Sequence, residues 1–217
     1  MNNDRGRFDS FLEKFSSRIT NIVLLGFFGT LCCLLVVPAG AGFTAVNAAT
    51  RSYLLEDDRK PLKTFWNAFK EQFRLSTIVW LIHAAVIAVL WWDFAYYRAG
   101  TADIDILAQA AVFVLLIFLV MELSLVYVVI SEKMADKPLD CMKLALDIGV
   151  NCFWETLMIT IIMIAIPVAV FFLLRGLLFV MPGVNAYLSW QIIPRMLKKY
   201  KFKKGNEAYR KERQQKK

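Results

Sequence analysis

Residues 106–130 read ILAQAAVFVLLIFLVMELSLVYVVI and carry a single charged side chain, that of Glu122. A helix needs about 20 apolar residues to cross the hydrocarbon layer of a bilayer. No water is present in that layer to satisfy backbone N–H and C=O groups, so the segment must pair them internally as a helix. This stretch therefore predicts a membrane-spanning helix.

Four other apolar stretches accompany it, and they raise the hydrophobic share of the 217 residues to 58% and the mean hydropathy to +0.50. Soluble domains are about 45–50% apolar, so this excess predicts an all-α, polytopic transmembrane helix bundle of about five spans. The other predicted spans are residues 19–49, 75–92, 151–174 and 177–193. The predicted divisions are an amphipathic interfacial segment, a transmembrane helical domain and a basic tail, at residues 1–18, 19–194 and 195–217.

The first stretch, residues 19–49, is too long for one straight crossing at a rise of about 1.5 Å per residue. Pro38, followed by Gly40 and Gly42, marks the expected kink in a single crossing. The alternative is a hairpin that turns at Pro38 and gives six crossings. Only about a dozen apolar residues follow Pro38, fewer than a crossing needs, so the sequence favours the single kinked span.

A short motif occurs twice, since Lys60-Pro61-Leu62 is repeated as Lys137-Pro138-Leu139. Proline suits the first turn of a helix, where its missing N–H is not needed, and each copy opens an amphipathic segment before the next span. The pattern predicts two parallel repeats with interfacial helices, although chance also produces a match of three residues. A third partial copy is indicated because Pro38 and Arg51 are spaced like Pro182 and Arg195.

The formal net charge is +8, and its distribution predicts the orientation in the membrane. Lys and Arg concentrate in residues 51–74, in residues 131–149 and in the tail, which has eleven of them after position 194. Such residues mark the cytoplasmic side of a membrane protein. With five spans, the tail is expected in the cytoplasm and the N-terminus outside, whereas six crossings put both ends inside.

The basic tail is predicted to meet anionic phospholipid rather than nucleic acid, because it adjoins a span and resembles no nucleic-acid-binding fold. Four of the basic residues near the ends of spans are candidates for binding lipid phosphate or a partner: Arg51, Arg195, Lys198 and Lys199. Extension of their side chains to the membrane surface also explains their positions.

Polar residues inside apolar spans are costly and therefore mark candidate functional positions. The predicted intramembrane polar cluster consists of His83, Glu122, Glu155 and Asn185. His83 and Glu122 each lie about eight residues from the cytoplasmic end of a span, so their depth permits a pair. The cluster could form a solute or proton site, or it could supply hydrogen bonds that hold the helices together.

The sequence contains no motif of enzymatic chemistry that we recognise, neither a nucleophile elbow nor a phosphate loop nor a zinc signature. Cys32, Cys33, Cys141 and Cys152 lack metal-site spacing and are interpreted as free thiols that pack as small apolar side chains. We therefore expect no catalytic residues, no metal and no cofactor, and we expect that the protein is not an enzyme.

The segment from Pro38-Ala39-Gly40-Ala41-Gly42 through Arg51 to residues 63–73, KTFWNAFKEQF, resembles the YesL-like family of small bacterial membrane proteins. The similarity is clearest over residues 8–80. This family is a domain of unknown function whose members are often associated with carbohydrate uptake. The resemblance implies a bacterial plasma membrane and a link to sugar import, and it supplies no catalytic residues.

Two functions follow as hypotheses. The first is a non-enzymatic accessory or regulatory membrane protein linked to carbohydrate uptake, with membrane transport proteins as partners. The second is a small-solute transporter or channel subunit with a polar cavity around His83 and Glu122. A polar cavity that reaches the middle of the membrane distinguishes the second from the first.

Overall fold

The computed structural model describes residues 2–56, 58, 60–98, 103–173 and 179–215, and the regular structure in these ranges is helical. The prediction of an all-α fold is confirmed. The seven α-helices of the described residues are α1 (Asn2–Leu34), α2 (Ala39–Leu55), α3 (Pro61–Arg98), α4 (Asp103–Ser131), α5 (Pro138–Asn151), α6 (Phe153–Leu173) and α7 (Met181–Gln215).

Four segments in the described helices are long and apolar enough to cross a membrane: Ser16–Leu34, Pro61–Tyr97, Ile106–Ser131 and Phe153–Phe172. They correspond to the first four predicted spans. The predicted fifth span, residues 177–193, lies partly outside the described residues, and its described part opens α7. Helix α7 continues through Arg195 without a break, so the predicted start of the tail is not the end of a helix.

The chain reverses at residues 35–38, so the single kinked helix predicted for residues 19–49 is wrong. A Cβ atom on Gly42 would lie 2.5 Å from Cβ of Cys32, and one on Gly29 would lie 2.8 Å from the Val46 side chain. Such contacts arise only if α2 folds back along α1. The turn places Val36 at a φ of 58°, a left-handed conformation that a β-branched residue rarely adopts.

Small residues allow α2 to approach its neighbours closely. Ala41, Ala45 and Ala49 are completely buried, and a Cβ atom on Gly40 would lie 2.5 Å from the backbone oxygen of Ser76 in α3. The hydroxyl groups of Thr44 and Ser76 are hydrogen-bonded at 2.8 Å across the same interface. Small side chains that let helix backbones meet are characteristic of helix packing in membranes.

The two prolines of the repeated motif each begin a helix, α3 at Pro61 and α5 at Pro138. The segments that follow them differ. Residues 62–73, predicted to form an interfacial helix, are the first turns of the uninterrupted α3, whereas α5 ends before Cys152 and α6 begins anew at Phe153. The N-terminal segment is likewise continuous with the first span in α1, and its side chains up to residue 15 lie outside the described residues.

Helix α7 runs parallel to α2, as the third partial copy of the repeat implies. Nε1 of Trp190 in α7 donates a hydrogen bond of 3.1 Å to Oδ1 of Asn47 in α2. Further along both helices, Arg51 and Lys198 line one cavity. Helix α7 also crosses α1 closely, since a Cβ atom on Gly183 would lie 2.8 Å from the backbone nitrogen of Gly26.

Candidate functional site

The structure brings His83 of α3 and Glu122 of α4 together in the interior. Their side chains are 0% and 2% exposed, and Nε2 of His83 contacts Oε2 of Glu122. Nδ1 of His83 lies 2.8 Å from the carbonyl oxygen of Val79. A carbonyl only accepts hydrogen bonds, so Nδ1 must carry a proton, and the pair shares a second proton between Nε2 and the carboxyl group.

The space beside this pair is small. The cavity that Glu122 lines measures about 30 Å³, which is room for about one water molecule. The second carboxyl oxygen of Glu122, Oε1, is buried without a hydrogen-bond partner among the described residues.

The other two members of the predicted cluster lie elsewhere. Glu155, in the first turn of α6, forms an ion pair of 2.5 Å with Lys199 of α7. Asn185 of α7 lines a larger central cavity. The predicted four-residue cluster is therefore one buried pair and two separate residues.

The central cavity has a volume of about 230 Å³ and lies between α2, α4, α6 and α7. Its wall is mostly apolar, with Phe43, Met163 and Pro167 among the contributors, and none of the lining residues that the structure describes is charged. The polar residues of the lining are Asn47, Ser124, Tyr127, Asn185 and Ser189.

Two residues of the cavity lining each have a buried polar atom without a hydrogen-bond partner in the described part of the chain, namely the hydroxyl oxygen of Tyr127 and Oδ1 of Asn185. The neighbouring amide of Asn47 is satisfied, because its Nδ2 donates to the Phe43 carbonyl oxygen at 2.9 Å and its Oδ1 accepts from Trp190. Ser124 donates to the Met121 carbonyl oxygen at 2.7 Å. Buried polar atoms without partners cost free energy unless water or a ligand satisfies them.

Sequence analysis did not identify Tyr127 or this cavity. Tyr127 lies within the apolar run of α4, where a tyrosine gives no signal that distinguishes it from a packing residue. Asn47 and Asn185 do interrupt apolar stretches, and each lies on one of the two helices that share the proline and arginine spacing of the partial repeat.

Charged side chains gather at the end of the bundle where α2 ends and α3 begins. We call this region the basic end and define it by its ion pairs: Arg51–Glu56, Arg51–Glu132, Lys133–Glu71, Lys199–Glu155 and Lys204–Asp147. These pairs connect α2 to the residues after α4, α3 to the same residues, and α7 to both α5 and α6.

The four candidate lipid-binding residues occupy different settings at the basic end. Arg51 and Lys198 line an open groove of about 360 Å³, together with Lys201 and Glu132. Arg51 is held there by two carboxylates, and Lys199 is paired with Glu155. Arg195 is exposed and is not part of the groove.

Hydrogen bonds lower the pKa of two carboxyl groups at the basic end. The Thr64 hydroxyl donates to Asp58 at 2.5 Å and the Lys60 N–H at 2.8 Å, and these bonds hold the pKa of Asp58 below its usual value. The Tyr200 hydroxyl and then Lys204 lower the pKa of Asp147 in the same way.

The described residues include no group of three or more His, Cys, Asp or Glu side chains placed to hold a metal ion. All four cysteines are free thiols, three of them buried. Burial raises the pKa of Cys141, so this thiol stays protonated at neutral pH.

Apolar helices of membrane-spanning length, a buried polar pair and a charged end define a multi-pass helical membrane protein. Residues 19–94 match a family described as "Protein of unknown function, DUF624". This match covers part of α1, all of α2 and most of α3, and it confirms the resemblance to an uncharacterised YesL-like family. Neither the curated proteins nor the solved structures contain a match to the chain.

Proposed function

We propose that this chain is a non-enzymatic accessory or regulatory protein of the bacterial plasma membrane, with both termini in the cytoplasm. The reversal at residues 35–38 is the observation that carries the orientation in this proposal. It returns the chain to the side on which α1 begins, so Arg18 and the basic end share one side of the bundle. Lys and Arg on one side mark the cytoplasm. An external N-terminus was expected only because residues 19–49 were predicted to cross the membrane once.

The turn itself supports a position in lipid. Four consecutive apolar residues at the turn are 53–68% exposed in the isolated chain: Leu34, Leu35, Val36 and Val37. An exposed apolar patch of this kind is costly in water and favourable in hydrocarbon. Helices α1 and α2 then form a hairpin that enters the membrane from the cytoplasmic side and returns to it.

Cysteine labelling tests this orientation. In a background lacking the four native cysteines, Ser16→Cys, Tyr96→Cys and Lys201→Cys would each be exposed to a membrane-impermeant maleimide in intact bacterial cells. We expect labelling of Tyr96→Cys in intact cells and labelling of the other two only after the membrane is opened. Labelling of Ser16→Cys from outside would restore the five-span topology.

The accessory role rests on the family resemblance, which links such proteins to carbohydrate uptake, and on the open groove at the basic end. The groove combines Lys198 and Lys201 with apolar Leu197 and Pro194, a surface suited to acidic protein segments or to anionic lipid. Its partner, in this proposal, is a membrane component of a sugar uptake system.

Affinity purification from native membranes tests the accessory role. We expect a membrane transport protein to co-purify with the wild type and to be lost from a Lys198→Glu, Lys201→Glu variant. Lys133→Gln is the control, since Lys133 lies outside the groove and already pairs with Glu71. If quantitative mass spectrometry finds no transport protein enriched with the wild type, the accessory role is refuted.

A small-solute transporter or channel subunit is the second candidate, and the buried His83–Glu122 pair favours it, because a shared proton inside a membrane domain is a common element of proton-coupled transport. Proteoliposomes should then show a solute-dependent proton flux that Glu122→Gln abolishes and Glu71→Gln leaves intact. No flux across a broad panel of sugars and metabolites would exclude this candidate.

A further inference from the structure

Three properties of the described residues characterise the central cavity between α2, α4, α6 and α7: the volume that they enclose, the absence of charge among them, and two polar atoms that find no hydrogen-bond partner among them. We propose that it binds a small, neutral, mostly apolar molecule that carries one or two hydroxyl groups, such as a compact alcohol or phenol. Each of these properties restricts the ligand by itself, and none of them depends on the accessory or transport role proposed above.

Size limits the ligand to a compact molecule. At the packing density of protein interiors, about 0.75, a cavity of about 230 Å³ accommodates about a dozen non-hydrogen atoms. A phospholipid is far larger, and a single water molecule would leave most of the volume empty.

The lining excludes charged ligands. None of the described residues of the lining is ionised at neutral pH, and most of the wall that they form is apolar. A phosphate, carboxylate or ammonium group in such surroundings would lose its hydration without gaining a counter-charge. The buried pair His83–Glu122 is not part of the lining, because Glu122 lines the separate small cavity described above.

The hydrogen-bonding atoms favour a hydroxyl group. Oδ1 of Asn185 accepts a hydrogen bond, and the Tyr127 hydroxyl both donates and accepts. A ligand hydroxyl also does both, so it satisfies Tyr127 and satisfies the Asn185 amide in either orientation of that amide. Asn47 and Ser124 already use hydrogen bonds within the protein.

The number of available hydrogen-bonding atoms disfavours a sugar in this cavity. A hexose carries several hydroxyl groups, and the lining provides only two atoms without partners in the described residues. The remaining hydroxyls would be buried against apolar walls without hydrogen bonds, at a cost for each. A link to carbohydrate uptake would therefore not depend on sugar binding here.

Binding of 2-naphthol and naphthalene to the purified full chain in detergent micelles tests the proposal, because the two probes differ by one hydroxyl group. Titration calorimetry with the wild type should show about three- to tenfold tighter binding of 2-naphthol, the value of one hydrogen bond in an apolar site. Glucose should show no binding. Both probes partition into micelles, and to different extents, so the partition of each probe is measured in protein-free micelles and every affinity is expressed on the concentration of probe in the micelle phase.

Tyr127→Phe and Asn185→Leu should each remove the advantage of 2-naphthol and leave naphthalene binding unchanged. Tyr96→Phe, which removes a hydroxyl from a tyrosine 71% exposed at the far end of α3, is the matched control and should bind like the wild type. Ala186→Met fills the cavity and should weaken the binding of both probes.

Equal affinity of the two probes for the wild type would overturn the proposal, as would an advantage of 2-naphthol that survives Tyr127→Phe. Binding of neither probe would mean that the cavity holds water only, which also overturns it. Tyr127→Phe keeps the side-chain shape, so this comparison stands even if Asn185→Leu fails to fold.

Discussion

The membrane-embedded middle of the bundle and its basic end are held together by different physical means. In the middle, close glycine contacts and one fully buried pair, His83–Glu122, connect the helices. At the basic end the contacts are ion pairs between side chains that are mostly exposed, as in Lys133–Glu71. Water weakens the second kind of contact and is absent from the first. The middle should therefore determine stability, whereas the basic end determines orientation and binding.

The largest loss of folding stability is expected when the buried His83–Glu122 pair is broken. Glu122→Ala leaves His83 buried with an unsatisfied ring nitrogen or an unpaired charge, and such losses cost about 3–5 kcal/mol. Reversible unfolding in mixed micelles by sodium dodecyl sulfate measures this free energy. We expect His83→Ala to be destabilising to a similar degree.

The double variant His83→Leu, Glu122→Leu is the matched control, because it removes both partners and leaves neither one uncompensated. It should recover most of the lost stability, since apolar replacement of a whole buried pair is often neutral. If the double variant is as unstable as Glu122→Ala, the His83–Glu122 interaction itself stabilises the fold relative to two apolar side chains.

Close packing of α1 against α7 provides the next largest effect. In Gly183→Ala the new methyl group would meet backbone atoms of Ile22 and Gly26, which cannot move aside as a flexible side chain does. Overpacking of this kind costs about 1–3 kcal/mol, measured by the same unfolding assay.

Gly205→Ala is the control on the same helix, since a Cβ atom on Gly205 would meet nothing within 4 Å. There the substitution should stabilise α7 by up to about 1 kcal/mol through helix propensity alone. If Gly183→Ala is as well tolerated as Gly205→Ala, then α1 and α7 do not meet closely enough for a methyl group to separate them.

The two regions also differ in how far the sequence predicts them. The depth of His83 and Glu122 in their spans follows from counting residues, so their pairing could be predicted. The reversal at Pro38 was predicted only as the less favoured alternative, because α2 extends to Leu55, past the end of the apolar stretch, and a count of apolar residues underestimates its length. The partners of Arg51 and Lys199 depend on how separate hairpins assemble, which local sequence does not encode. The central cavity has the same origin, since it is formed by four helices at once.

A smaller, pH-dependent effect is expected where α2 joins α3. The lowered pKa of Asp58 means that folding favours its charged form. This contribution to stability is complete above the ordinary pKa of 3.8 and is lost as the pH falls through the lower folded-state pKa. Unfolding free energies compared at about pH 6 and about pH 3 should therefore fall less in Asp58→Asn than in the wild type. An unchanged dependence on pH would show that the Ser52 and Thr64 hydroxyls do not stabilise the carboxylate.

The smallest effect is expected from an exposed ion pair, and it completes the comparison between the two regions. Lys133 and Glu71 approach to 2.5 Å, but their side chains are 58% and 56% exposed. Glu71→Gln should cost less than about 1 kcal/mol, and about 1 M salt should remove even that difference, because the Debye length is then about 3 Å. The cost of Glu122→Ala should not change with salt, since neither partner of the buried pair meets the solution.

If Glu71→Gln destabilised the protein as strongly as Glu122→Ala, or if both costs fell equally with salt, water would reach the two pairs alike. The middle of the bundle would then not be embedded in lipid.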